Sequence, residues 1–118
     1  MNKLALVLTI VGVMLSLVAA VGVAAQPAAV KPVVISITVQ KGRPAGGIKR
    51  PKVKKGRVVR FVIHTDAGTE IHLHGYDIDR TPKQGKATVI QFTAKLPGRF
   101  ELELHSPDAL LADLTVQP

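Results

Sequence analysis

A chain of 118 residues with no cysteine, no tryptophan, one tyrosine and a formal net charge of +8 has room for one small domain. It excludes a disulfide framework and thiolate chemistry. With three phenylalanines besides the single tyrosine, it has few faces on which bases could stack, so nucleic acid is a poor partner.

The first 25 residues stand apart. Lys3 precedes an uncharged apolar and small run from Leu4 to Ala25 (LALVLTIVGVMLSLVAAVGVAA). A positive start, an apolar middle and a small-residue end describe a signal peptide, with Val23-x-Ala25 as its cleavage site. The run is also long enough for an uncleaved membrane anchor made of an apolar helix. Residues 1–25 are thus expected to be signal or anchor, and residues 26–118 an exported domain in a periplasmic or secreted location. Both methionines, Met1 and Met14, fall in the leader. A metal held by the exported part must therefore be bound by nitrogen and oxygen.

Beyond the leader the apolar period is two. Val33, Ile35, Ile37 and Val39 alternate with Val34, Ser36 and Thr38, which predicts a half-buried strand. A Gly/Pro-rich connection leads to a weak edge strand over Ile48–Val53, interrupted by Pro51. Lys54-Lys55-Gly56 turns the chain into a strand through Val59, Phe61 and Ile63, and Asp66-Ala67-Gly68 forms the next turn. Extended runs follow at Ile71–His74, Ala87–Thr93, Phe100–His105 and Leu110–Val116, separated by turns at Pro82–Gly85 and Leu96–Gly98. No amphipathic helix is legible. About seven short strands at regular spacing predict an all-β sandwich.

Charge is divided along the chain. Gln26–Thr65 holds Lys31, Lys41, Arg43, Lys49, Arg50, Lys52, Lys54, Lys55, Arg57 and Arg60 and no acid, whereas Asp66 onward carries all eight acids against five bases. A surface made from Lys41, Arg43, Lys49, Arg50, Lys52, Lys54 and Lys55 suits an acidic protein partner or an anionic membrane. Solvated lysines that protect a sheet edge are the simpler reading of the same run.

The chemistry concentrates in Glu70-Ile-His-Leu-His-Gly-Tyr-Asp77. Alternation puts His72 and His74 on one face, about 6.8 Å apart along the strand. His105, on a separate strand, is the natural third imidazole. Glu70, Asp77 and Glu103 are candidates to add an oxygen or to orient a ring through its second nitrogen. The candidate metal ligands are His72, His74 and His105, for Cu(II) first and zinc as the alternative. His64 shares a face with Arg60 and stays outside the set. No serine sits in an activating motif, since Ser106 belongs to a Ser-Pro-Asp turn, so no catalytic residue is assigned and the chain does not read as an enzyme.

The order of a Val-rich strand, Lys-Gly-Arg-Val-Val-Arg-Phe, Glu-Ile-His-Leu-His-Gly-Tyr-Asp, Pro-Gly-Arg-Phe-Glu-Leu-Glu-Leu-His and a final Leu-Thr-Val resembles cupredoxin-like domains of secreted bacterial proteins, across Val33 to Val116. The resemblance implies a Greek-key β-sandwich in which the strand from Phe100 lies beside the one carrying His72. It places His72 near the first histidine ligand of blue copper proteins, which implies an inward-facing ring with Leu73 outward. Leu104 or His105 stands where the blue-copper cysteine would be, and Leu110 near the axial methionine. Without the thiolate, blue-copper electron transfer is excluded on chemistry. Two readings remain: histidine-bound Cu(II) for storage, delivery or buffering, and a metal-free sandwich docking through its basic stretch.

Overall fold

The computed structural model describes residues 19–118. The signal or anchor helix expected over 1–25 lies largely outside the described residues, and among those described no helix is long and apolar enough to cross a membrane. Nine strands follow: β1 (Val33–Gln40), β2 (Arg43–Pro44), β3 (Lys52–Lys54), β4 (Val58–Thr65), β5 (Glu70–Leu73), β6 (Ile78–Arg80), β7 (Thr88–Thr93), β8 (Gly98–His105) and β9 (Ala109–Gln117). One sheet has the order β2-β1-β4-β7 and the other β3-β9-β8-β5-β6. The first is called the front sheet below and the second the back sheet.

The two-residue period carries the packing. Ile37 and Val39 of β1, Val59, Phe61 and Ile63 of β4, and Ile90 of β7 bury their side chains from the front sheet. Ile71 and Leu73, Leu102 and Leu104, and Leu111, Leu114 and Val116 meet them from the back sheet. Each of the larger side chains contributes about 1.5–3 kcal/mol by leaving water. That core compensates for the missing disulfides.

Two strands exceed the expected seven. β2 pairs with the end of β1 across the Lys41-Gly42 turn, Val39 opposite Pro44. β6 forms a hairpin with β5 in which Ile71, His72 and Leu73 face Arg80, Asp79 and Ile78. Both are too short to show a period. The edge strand expected at Ile48–Val53 shrinks to Lys52–Lys54 with an isolated bridge from Lys49 to Ala112, because Pro51 has no N–H to donate.

The sandwich has two distinguishable ends. Where β1 begins, the turn after β3 is tied down by Lys55 N–H to Gln117 O at 2.7 Å, Gly56 N–H to Ala94 O at 2.8 Å and Ala94 N–H to Arg57 O at 2.8 Å. At the opposite end the Lys41-Gly42 turn packs on Pro107, and Gly68 packs on Leu104. The basic stretch therefore does not form one hairpin surface. Lys41 and Arg43 stand at the opposite end, Lys49 to Lys52 run beside β9, and Lys54, Lys55 and Arg57 stand where β1 begins.

Candidate metal centre

Because Ile71 and Leu73 are fully buried, the pleat turns Glu70, His72 and His74 to the outer surface of the back sheet. On β8 the same rule sends Leu102 and Leu104 inward and Glu101, Glu103 and His105 outward. β5 and β8 are antiparallel neighbours, with Glu70 opposite His105 and His72 opposite Glu103. On the other side of β5, Asp79 stands opposite His72. Three adjacent strands thus bring imidazoles and carboxylates to one outer face. This corrects the inward orientation implied for His72: burying Ile71 and Leu73 is worth more than burying an imidazole in their place.

Every imidazole of the face has one nitrogen held by a carboxylate. His72 Nδ1–H donates to Asp79 Oδ1. His74 Nε2–H donates to Glu103 Oε2 at 2.9 Å, and His105 Nδ1–H donates to Asp108 Oδ1 at 3.2 Å. Such pairing sets tautomer and ring orientation, as carboxylates behind metal-bound histidines do. The nitrogens left over are Nε2 of His72, Nδ1 of His74 and Nε2 of His105, the last 3.9 Å from Glu103 Oε2.

The spacing of the rings can be tested against a shared ion. With metal–nitrogen bonds of about 2.0 Å, centroids of two ligating imidazoles lie roughly 4.5 Å apart when cis and roughly 6.3 Å when trans. His72 and His74 lie 4.3 Å apart with planes at 86°, inside the cis range. His72 and His105 lie 6.5 Å apart, just beyond the trans limit, so one ion joins these two rings only if they move closer. The compact set is a different one: Glu70, His72 and Asp79 each offer a ligand atom within 4.8 Å of the others. His72 is common to both groupings and is half-buried, with its side chain 20% exposed.

Of the residues singled out from sequence, His72 stands at the centre, with His74 and His105 as its imidazole neighbours. Glu70 belongs to the compact set and Glu103 holds His74. Asp77 sits in the β5–β6 turn at φ 51° and makes no ion pair among the described residues. His64 is exposed on β4 in the front sheet. Asp79 was not legible as a site residue, since β6 is only three residues long. Its signal was the Gly-containing loop between Ile-His-Leu and Ile-Asp-Arg, which is compatible with a four-residue hairpin connection.

Farther along the same face Arg99 and Asp113 form an ion pair on β8 and β9. The guanidinium, by hydrogen bonding first and charge second, holds the Asp113 carboxyl below the usual carboxylate range, and Asp113 in turn raises Arg99. Asp113 is thereby committed elsewhere.

No protein-family model and no curated protein sequence matches the chain. Among solved structures, an apo copper binding protein determined by NMR is similar with a TM-score of 0.56 and 17% identity, over 71% of this chain and 86% of that one. A chain of a heme-copper terminal oxidase dimer has a TM-score of 0.56 and 15% identity, over 71% of this chain and 64% of that one. A reduced mutant of amicyanin stands at TM-score 0.49 and 16% identity. At such identities the likeness to the first two is one of fold. The fold is the cupredoxin-like Greek-key β-sandwich, here without the cysteine that a blue-copper ligand set requires.

Proposed function

We propose that this is an exported, periplasmic or secreted copper protein that binds Cu(II) on the outer face of its back sheet, with a role in storage, delivery or buffering. It does not carry out blue-copper electron transfer or catalysis. The observation that carries the proposal is the clustering of three of the chain's four histidines around His72, each with one nitrogen held by a carboxylate and the other unclaimed. His72 is the anchoring ligand, Asp79 the carboxylate that orients its ring, Glu70 a nearby oxygen, and His74 and His105 the imidazoles that complete a nitrogen-rich set once their rings move toward the ion. Borderline nitrogen donors and the affinity order of divalent ions favour Cu(II) over zinc, which the same residues accept more weakly. The apolar leader supports export.

The test is a competitive Cu(II) titration of the purified protein, followed by metal analysis. One equivalent is expected to bind, and the triple alanine variant of His72, His74 and His105 to lose it. An unchanged stoichiometry and affinity in that variant would refute the assignment.

A further inference from the structure

At the end of the sandwich where β1 begins, the β3–β4 and β7–β8 turns carry cations and no acid. Lys54 at the end of β3, Lys55 and Arg57 in the turn after it, and Lys95 in the turn before β8 are all exposed. None of the four makes an ion pair among the described residues. Lys31 is exposed two residues before the first strand. The acid near this end is Asp77, in the turn between β5 and β6 at the opposite edge of the back sheet from β3. Between the cations Leu96 stands 49% exposed. Its turn is pinned by the Tyr76 hydroxyl, which donates to Leu96 O at 3.0 Å and accepts from Leu96 N–H at 3.1 Å. The two turns are locked to each other and to β9 by the backbone bonds of Gly56, Ala94 and Lys55. A rigid cationic end with one apolar tip has the chemistry of a contact with an anionic headgroup layer.

The position of this end in the chain points the same way. Only Gln26–Pro32 separates the apolar run ending at Ala25 from β1. Seven extended residues reach at most about 25 Å, so a leader held in a bilayer keeps this end, and not the opposite one, against the headgroups.

We infer that Lys54, Lys55, Arg57, Lys95 and Leu96 form a docking surface for an anionic phospholipid bilayer. Docking there leaves Glu70 and His105, paired across β5 and β8, at the water-facing end. The inference is independent of the copper reading, since it uses none of the same side chains.

Amide hydrogen exchange of the full chain tests it, in nanodiscs of phosphatidylcholine alone and of phosphatidylcholine mixed with phosphatidylglycerol. Amides of residues 54–57, 94–96 and 98 are expected to exchange several-fold more slowly on the anionic discs, and those of Lys41, Gly42, Ser106 and Asp108 equally on both. High salt and the charge-reversed variant Lys54→Glu, Lys55→Glu, Arg57→Glu are expected to abolish the difference, with an unchanged melting temperature showing that the variant is folded. Equal exchange on both lipids, slowing at the opposite end, or a slowing that survives charge reversal would overturn the inference. So would slowing at these amides by soluble polyglutamate but not by phosphatidylglycerol, which would assign the surface to an acidic protein.

Discussion

At the scale of single residues the outer face of the back sheet divides its carboxylates between two tasks. Asp79, Glu103 and Asp108 hold imidazoles, while Asp113 holds Arg99. An aspartate that orients a metal-binding ring is worth about 10–100-fold in affinity. Asp79→Asn is therefore expected to weaken Cu(II) binding by that factor in a competitive titration while leaving the stoichiometry at one. Asp113 has a different signature. Its folded-state pKa is depressed, so the stability it contributes is fully present above the unfolded aspartate value of about 3.9 and is lost as pH falls through the lower folded value. Thermal melts should place Asp113→Asn below the parent at neutral pH, and the gap should close in strong acid. A gap that widened there would refute the depressed pKa.

At the scale of elements, the long core strands are the ones whose period was plainest, and of the strands that carry the site only β8 is among them. Val33 to Val39, Val59 to Ile63 and Phe100 to Leu104 announce their buried faces by alternation, and with them the outward direction of Glu103 and His105. What the sequence left hidden was hidden for physical reasons. β2 and β6 hold two and three residues, which is too short for any period, and Asp79 went unnoticed with β6. The facing of His72 was ambiguous because analogy with blue copper proteins opposed the hydrophobic pattern of Ile71 and Leu73, and the pattern prevailed. The turn after β5 depends on its glycine. Gly75 has φ +82°, and a Cβ there would lie 2.5 Å from Phe100 Cδ1. Gly75→Ala is expected to cost about 1–3 kcal/mol in urea unfolding and to displace His74, whereas Gly85→Ala, with open space around it, should lose only the backbone part. Phe61→Ala, at the centre of the core, should cost about 3–5 kcal/mol.

At the scale of the whole molecule, a 16-residue buried apolar cluster holds the domain together without disulfide or metal. The apo protein is therefore expected to be folded, to melt at the same temperature with or without reductant, and to gain stability on loading by about 2.7 kcal/mol when free Cu(II) stands at a hundred times its Kd. A chelator should return the melting temperature to the apo value. The cationic end and the histidine-rich outer face of the back sheet are distinct surfaces of the molecule.

The most direct test of the central claim is Cu(II) EPR of the full-length protein loaded with one equivalent, repeated on His72→Ala and His105→Ala. Without a thiolate the spectrum should be of type-2 character, lack the intense blue absorption, and show hyperfine structure from more than one imidazole nitrogen that collapses in His72→Ala and simplifies in His105→Ala. A spectrum of unligated aqueous copper, or one that neither substitution alters, would contradict the account.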